Sequence, residues 1–123
     1  MPAINNGSIA LTIFNAVAPM PNSVSGTLIT FVNNRIFYVE NYTGDTIGTT
    51  SISEKYQPAI TDLSFADAIR AMSLQDMGVK NVSIGDLSTD NSNLFEMAKQ
   101  FEDRGNIEMK SLAKSIKFFK ARG

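Results

Sequence analysis

The chain contains neither cysteine nor histidine. Together these absences remove thiol chemistry, disulfides and the usual ligand sets for zinc, copper and haem. Without histidine there is also no Ser-His-Asp arrangement for hydrolysis. A cysteine-free composition suits a reducing cytosol and a virion alike. Charge is scarce as well: only 19% of residues are charged and the formal net charge is −1. From Met1 to Asn34 there is no charged side chain at all, Arg35 being the first. So neutral a balance excludes a protein whose whole surface grips nucleic acid. No segment approaches the ~20 apolar residues of a membrane-spanning helix. Ile9 to Phe14, followed by Ala16-Val17-Ala18, has the outline of a signal peptide. It lacks a basic start, however, Thr12 interrupts the short apolar run, and Pro19 would follow the cut, all of which argue against secretion.

What is present is one domain's worth of chain: 123 residues, 43% of them hydrophobic, enough to bury about two-thirds of the unfolded surface. Residues 1–24 read as an uncharged N-terminal arm closed by Pro19 and Pro21, and residues 25–123 as the folded domain. The arm holds Ile4, Ile9, Leu11, Ile13, Phe14 and Val17, more aliphatic content than a disordered tail carries. It is expected to lie extended, either on its own domain or against a neighbouring subunit.

Ser25 to Tyr42 supports two readings. With period 3.6, Leu28, Phe31, Val32, Ile36, Val39 and Tyr42 line one helical face, with Ser23 or Ser25 as N-cap and Gly44 just past the end. Read as strands, Thr27 to Val32 and Arg35 to Glu40 are β-branched and aromatic and meet at Asn33-Asn34, which propensity slightly favours. Gly44 to Thr50 is a loop. Pro58 either opens a helix or kinks one. From Ala59 to Met77 a broad apolar face of Ile60, Leu63, Ala66, Ile69, Met72 and Leu74 predicts a helix, with Asp62 in its first turn and Gly78 as C-cap. Val79 to Ser88 alternates and turns at Gly85-Asp86, predicting a short strand or hairpin. Asn93 and Glu96 have capping-box spacing.

The final stretch is a long amphipathic helix. Leu94, Ala98, Phe101, Gly105, Met109, Leu112, Ile116 and Phe119 follow one another at steps of three and four, with Gly105 permitting close approach to the helix before it. About 27 residues rise roughly 40 Å. The last turns carry Lys110, Lys114, Lys117, Lys120 and Arg122 with no acidic residue, which suits the negative end of the helix dipole and equally suits contact with an acidic partner or passing DNA. Phe118 and Phe119 add an anchor beside these charges.

Paired carboxylates occur at Asp62 and Asp67, Asp86 and Asp90, and Glu102 and Asp103. General acid–base work needs two carboxyls in environments that push their pKa values apart; without a sign of burial, solvated helix faces are expected. The Asp86–Asn93 stretch lacks calcium-loop spacing, and Gly85-Asp86 is no phosphate loop. Neither a cofactor nor a metal is expected, and no enzymatic activity.

Three segments in order carry a resemblance. Ile52-Ser53-Glu54-Lys55-Tyr56-Gln57-Pro58-Ala59-Ile60 leads into the Asp62 to Met77 helix. Val82-Ser83-Ile84-Gly85-Asp86-Leu87-Ser88 follows. The chain finishes on Ile116-Lys117-Phe118-Phe119-Lys120-Ala121-Arg122-Gly123. Over about residues 25–123 this resembles the head–tail adaptor (connector, head-completion) proteins of tailed bacteriophages. The resemblance implies a mainly α fold: about four helices, a short β-hairpin before a long C-terminal helix, and, here, an extended N-terminal arm. It tips Ser25 to Tyr42 towards helix. It implies a virion structural protein of the neck, made in the cytoplasm of a bacterial host. About twelve copies would form a ring by head-to-tail contacts. The implied partners are the portal protein, a tail-side neck or stopper protein, and DNA passing through the channel without sequence-specific binding; no membrane is involved. Partner contacts are then expected at Ile84, Gly85, Asp86 and Leu87 in the hairpin and at Lys117, Phe118, Phe119, Lys120 and Arg122 in the basic end. A different class competes: a small α+β binding or regulatory module with residues 1–50 as a β-sheet. A small hydrolase or transferase using Asp and Ser is the weakest contender.

Overall fold

The computed structural model describes residues 3–18, 20–74, 81–84, 87–90 and 93–122, with side chains described as far as Leu112 except at 81–82 and 87–90. Its elements run α1 (Asn6–Ala16), β1 (Val17–Ala18), α2 (Asn22–Ser25), α3 (Leu28–Thr43), a 3-10 turn (Glu54–Tyr56), α4 (Gln57–Ser73), β2 (Asn81–Ile84), β3 (Leu87–Asp90) and α5 (Leu94–Arg122). The fold is mainly helical with a small antiparallel sheet, as expected for a small helical bundle.

The centre of the bundle is α4. Ala59, Ile60, Leu63, Phe65, Ala66, Ala68, Ile69 and Met72 are all buried, so apolar residues surround almost the whole axis, the pattern of a helix enclosed by others. Pro58 stands in its first turn, where the missing N–H costs nothing. The helix stops at Ser73, short of the expected Met77, with the Leu74 N–H donating to the Ala71 carbonyl at 3.3 Å. Gly78, the expected cap, lies outside the described residues. Asp62 is not a first-turn dipole partner, because α4 begins at Gln57 and places it in the second turn, facing α5.

Residues 28–43 are helix, not hairpin. Leu28, Val32, Ile36, Val39 and Thr43 recur at steps of four, four, three and four and are all buried. A hairpin would have split this set between two faces, so burial of one stripe overrides the β-propensity of the segment. Gly44 ends the helix at φ 79°, its N–H donating to Glu40 O at 2.8 Å, the left-handed position that glycine fills without Cβ strain. At the other end, neither Ser23 nor Ser25 caps it. Thr27 takes the N-cap position, but its hydroxyl turns back to the Val24 carbonyl at 2.9 Å, and the Ser25 hydroxyl to that of Asn22 at 3.2 Å.

The uncharged arm is where expectation and structure part. It is not extended: Asn6 to Ala16 form α1, capped by the Asn5 side chain accepting from the Ser8 N–H at 2.8 Å. Ile9 and Ile13 are fully buried and Val17 nearly so. The helix packs on α3, where Asn6 Nδ2 donates to Asn33 Oδ1 at 2.8 Å. Ile4 is tied to Ile52 by a pair of backbone hydrogen bonds. The apolar residues of this uncharged segment that are buried, Ile9, Ala10, Ile13, Val17 and Val24, belong to the core. With α1 and α3 occupying most of residues 1–50, a β-sheet over that range is ruled out.

The sheet has strand order β1-β2-β3. Val17 and Ala18 pair with Ile84 and Ser83, and Asn81 to Ile84 pair with Asp90 to Leu87. The expected hairpin is present, and the N-terminal segment adds a third strand that was not anticipated.

Helix α5 packs antiparallel along α4. Leu94, Ala98 and Met109 are buried on its seam, and Phe101 stacks on Phe65 with ring centroids 5.0 Å apart and planes at 12°. At Gly105 the two backbones close in: a Cβ there would lie 2.7 Å from Leu63 Cγ and 3.1 Å from the Leu63 N. The expectation of close approach at Gly105 holds. With Leu63 opposite Gly105, the start of α4 at Gln57 falls opposite about residue 111. The 29 residues of α5 therefore run about 16 Å past the beginning of α4.

Candidate functional site

Charge is scarce in this chain, and much of what the structure describes lies between helices. Arg35 of α3 reaches Asp67 of α4 through two parallel bonds, Nε–Oδ2 and Nη2–Oδ1, both 2.8 Å. Its Nη2 also donates to Glu102 Oε1 of α5 at 3.0 Å. Arg70, one turn beyond Asp67, completes the ring by donating to Glu102 Oε2 at 3.0 Å. One guanidinium thus ties three helices together, and its side chain is only 13% exposed. Burial works against the charge of Arg35, but Asp67 and Glu102 outweigh it and raise its pKa further. Burial likewise opposes ionisation of Glu102, yet Arg35 and Arg70 prevail and hold it below the usual glutamate range. Arg35 lies over the ring of Tyr38 at 5.1 Å and Arg70 over that of Phe95 at 6.0 Å.

A second group sits further along the α4–α5 seam. Arg104 donates to both oxygens of Asp62, at 3.1 and 3.2 Å, and lies 4.8 Å over Phe101. Glu108, one turn on, meets Asp62 carboxyl to carboxyl. Its Oε1 is buried without a hydrogen-bond partner. Burial first, and then Asp62, push its pKa from 4.5 to about 7. Beside Asp62 opens a cleft of about 370 Å³ lined by Ile4, Thr12, Glu54, Gln57, Pro58 and Thr61. In the loop between α3 and α4, Tyr56 donates to Asp45 Oδ2 at 2.6 Å, and burial with that bond moves its pKa up to about 12.

These carboxylates were expected on solvated faces. For Asp62, Asp67 and Glu102 that reading is overturned: each is engaged by an arginine from another helix. The chemistry is that of a lock. A guanidinium stays protonated, and Arg35 and Arg70 hold the Glu102 carboxyl below the usual glutamate range, so this three-helix cluster is suited to holding rather than to proton transfer. Among the described residues no group of three or more acidic side chains is placed to hold a metal ion.

The residues expected to meet partners fall at opposite ends of α5. Ile84 is buried in the core, its neighbours in the sheet being Val17 and Leu87, so in the single chain its side chain serves the fold. Leu87 opens β3. Gly85 and Asp86 lie outside the described residues. Lys117, Phe118, Phe119, Lys120 and Arg122 lie in the last turns of α5, beyond the described side chains. Only three residues separate β3 from α5, so the hairpin sits at the start of a helix about 43 Å long and the basic end at its finish.

Several large apolar side chains are exposed. Phe37 on α3 is 62% exposed and Ile107 on α5 69%; Leu11 and Phe14 of α1 and Phe95 of α5 also face solvent. No described helix is long and apolar enough to cross a membrane. Set against known protein families, curated proteins and solved structures, the chain matches none of them.

Proposed function

We propose that this protein is a non-enzymatic structural subunit, a head–tail connector of a tailed bacteriophage, whose copies assemble into a ring in the neck of the virion. The observation that carries the reading is the arrangement around α5. A small hairpin lies at one end of a 29-residue helix, a basic apolar segment at the other, and a three-helix ion lock stiffens the body between them. A ring needs two different surfaces on each copy, joined head to tail and closing by rotation. Exposed Phe37, Ile107 and Phe95 supply apolar area of the kind buried between subunits. The near-zero net charge suits a channel that lets DNA slide, since each cation placed on the phosphate backbone adds to holding it.

In this reading the basic turns from Lys117 to Arg122 and the hairpin segment Ile84-Gly85-Asp86-Leu87 meet the neighbouring copy, the portal and the tail-side neck protein. The test is to mix the purified protein with the portal ring of its phage and image the mixture by negative stain. A collar added to one face of the portal is expected; portal rings that stay bare at saturating protein would overturn the proposal.

A further inference from the structure

The carboxyl pair on the α4–α5 seam is not used by the ring reading, and its geometry is unusual. Two acidic side chains, Asp62 of α4 and Glu108 of α5, meet where the helices are packed, and Glu108 Oε1 is buried with nothing to bond to. Two ionised carboxylates in contact repel, and a buried oxygen with no donor bears the full desolvation cost. Among the described residues the cation at the site is Arg104, and its two bonds there go to Asp62. The 3-10 turn contributes Glu54 on the rim of the adjoining cleft, another acid. Helix α1, also bordering that cleft through Thr12, contributes no charge, since residues 1–34 have none. The surroundings therefore favour one arrangement: Asp62 held by Arg104, and Glu108 protonated and donating to Asp62.

We infer that Asp62 and Glu108 share one proton across the seam, and that this proton latches the C-terminal half of α5 onto the start of α4. The latch sits just before the level at which α4 begins and α5 runs on past it, so its state sets how firmly the basic overhang is anchored. Burial and Asp62 raise the Glu108 pKa to about 7, which places the change within the ordinary range of cellular pH. The sign follows from linkage. The unfolded chain releases this proton near 4.5 and the folded one near 7. The stabilisation is thus complete below about 4.5, fades as pH rises, and is gone above about 7.

The experiment is a carbon-13 NMR titration of the glutamate side-chain carboxyls in the intact protein, beside a trypsin time course at pH 8 on wild type and Glu108→Gln. The Glu108 carboxyl is expected to titrate near 7, and Asp62→Asn to move its midpoint downward. Glutamine donates the same hydrogen bond without losing a proton, so Glu108→Gln should slow cleavage at Lys110 and Lys114 several-fold. A Glu108 midpoint near 4.5 in the wild type overturns the proposal, whether or not the variants fold. Equal cleavage rates for wild type and Glu108→Gln would show that the pair carries no latch.

Discussion

Replacing Gly105 by alanine sets two effects of opposite sign against each other. Glycine in the middle of a helix is about 1 kcal/mol worse than alanine, so a solvent-facing Gly105 would make Gly105→Ala stabilising. The structure argues the reverse. The new methyl carbon would lie 2.7 Å from Leu63 Cγ, 3.0 Å from its Cδ2 and 3.1 Å from the Leu63 backbone nitrogen. The leucine tip can turn away, but it is itself fully buried, and the backbone nitrogen belongs to the central helix. Forcing extra volume into such a seam typically costs about 1–3 kcal/mol, with more where backbone must move. Setting that against the propensity gain leaves a net loss of up to about 2 kcal/mol, or up to about 8 °C in Tm for a chain of this size. Urea unfolding read by circular dichroism gives the free energy directly. A second arm isolates the cause: in a Leu63→Ala background the side-chain clash is gone, and Gly105→Ala should become neutral or stabilising. A Tm that rises on Gly105→Ala in the wild-type background would refute the close approach of α4 and α5.

Asp67→Ala removes the bidentate partner of Arg35 and leaves a largely buried guanidinium with Glu102 as its remaining carboxylate; about 2 kcal/mol of stability should be lost, measured by urea unfolding. Asn5→Ala should cost about 1 kcal/mol while the helical spectrum is retained, since it removes the cap of α1 and nothing of the core. The Glu102 pKa is lowered by its arginines, so the stability it contributes is present above 4.5 and lost as pH falls; Glu102→Gln should flatten the acid limb of a Tm-against-pH curve. Deleting Lys117 to Gly123 should abolish ring assembly, read by sedimentation velocity, with the circular dichroism nearly unchanged.

The parts of the fold legible in the sequence were those set by period and punctuation within one element. The seam of α5, the close approach at Gly105, the glycine stop at Gly44, Pro58 at the start of α4 and the hairpin before α5 all follow from spacing along a single stretch. Helix α1 is harder to read, because an absence of charge is also the mark of an extended arm. The signal was there, in Asn5 as a cap and in Ile9, Ile13 and Val17 at steps of four. The ion lock was hidden for a different reason. Arg35 lies 32 residues from Asp67 and 67 from Glu102, and no spacing rule within a helix reports a pair made between helices. A lone arginine at 35 among buried apolar positions was the available hint, because an isolated charge facing a core must find a partner. The carboxyl-to-carboxyl meeting of Asp62 and Glu108 needed the antiparallel register of α4 and α5, which Leu63 and Gly105 fix.

That this protein is a ring-forming subunit is tested most directly by native mass spectrometry of the full chain alone, across a range of concentrations. The proposal predicts a closed species of about twelve copies, with intermediates that thin out as the concentration rises. Monomer alone at every concentration, from a protein whose circular dichroism shows it folded, would contradict it.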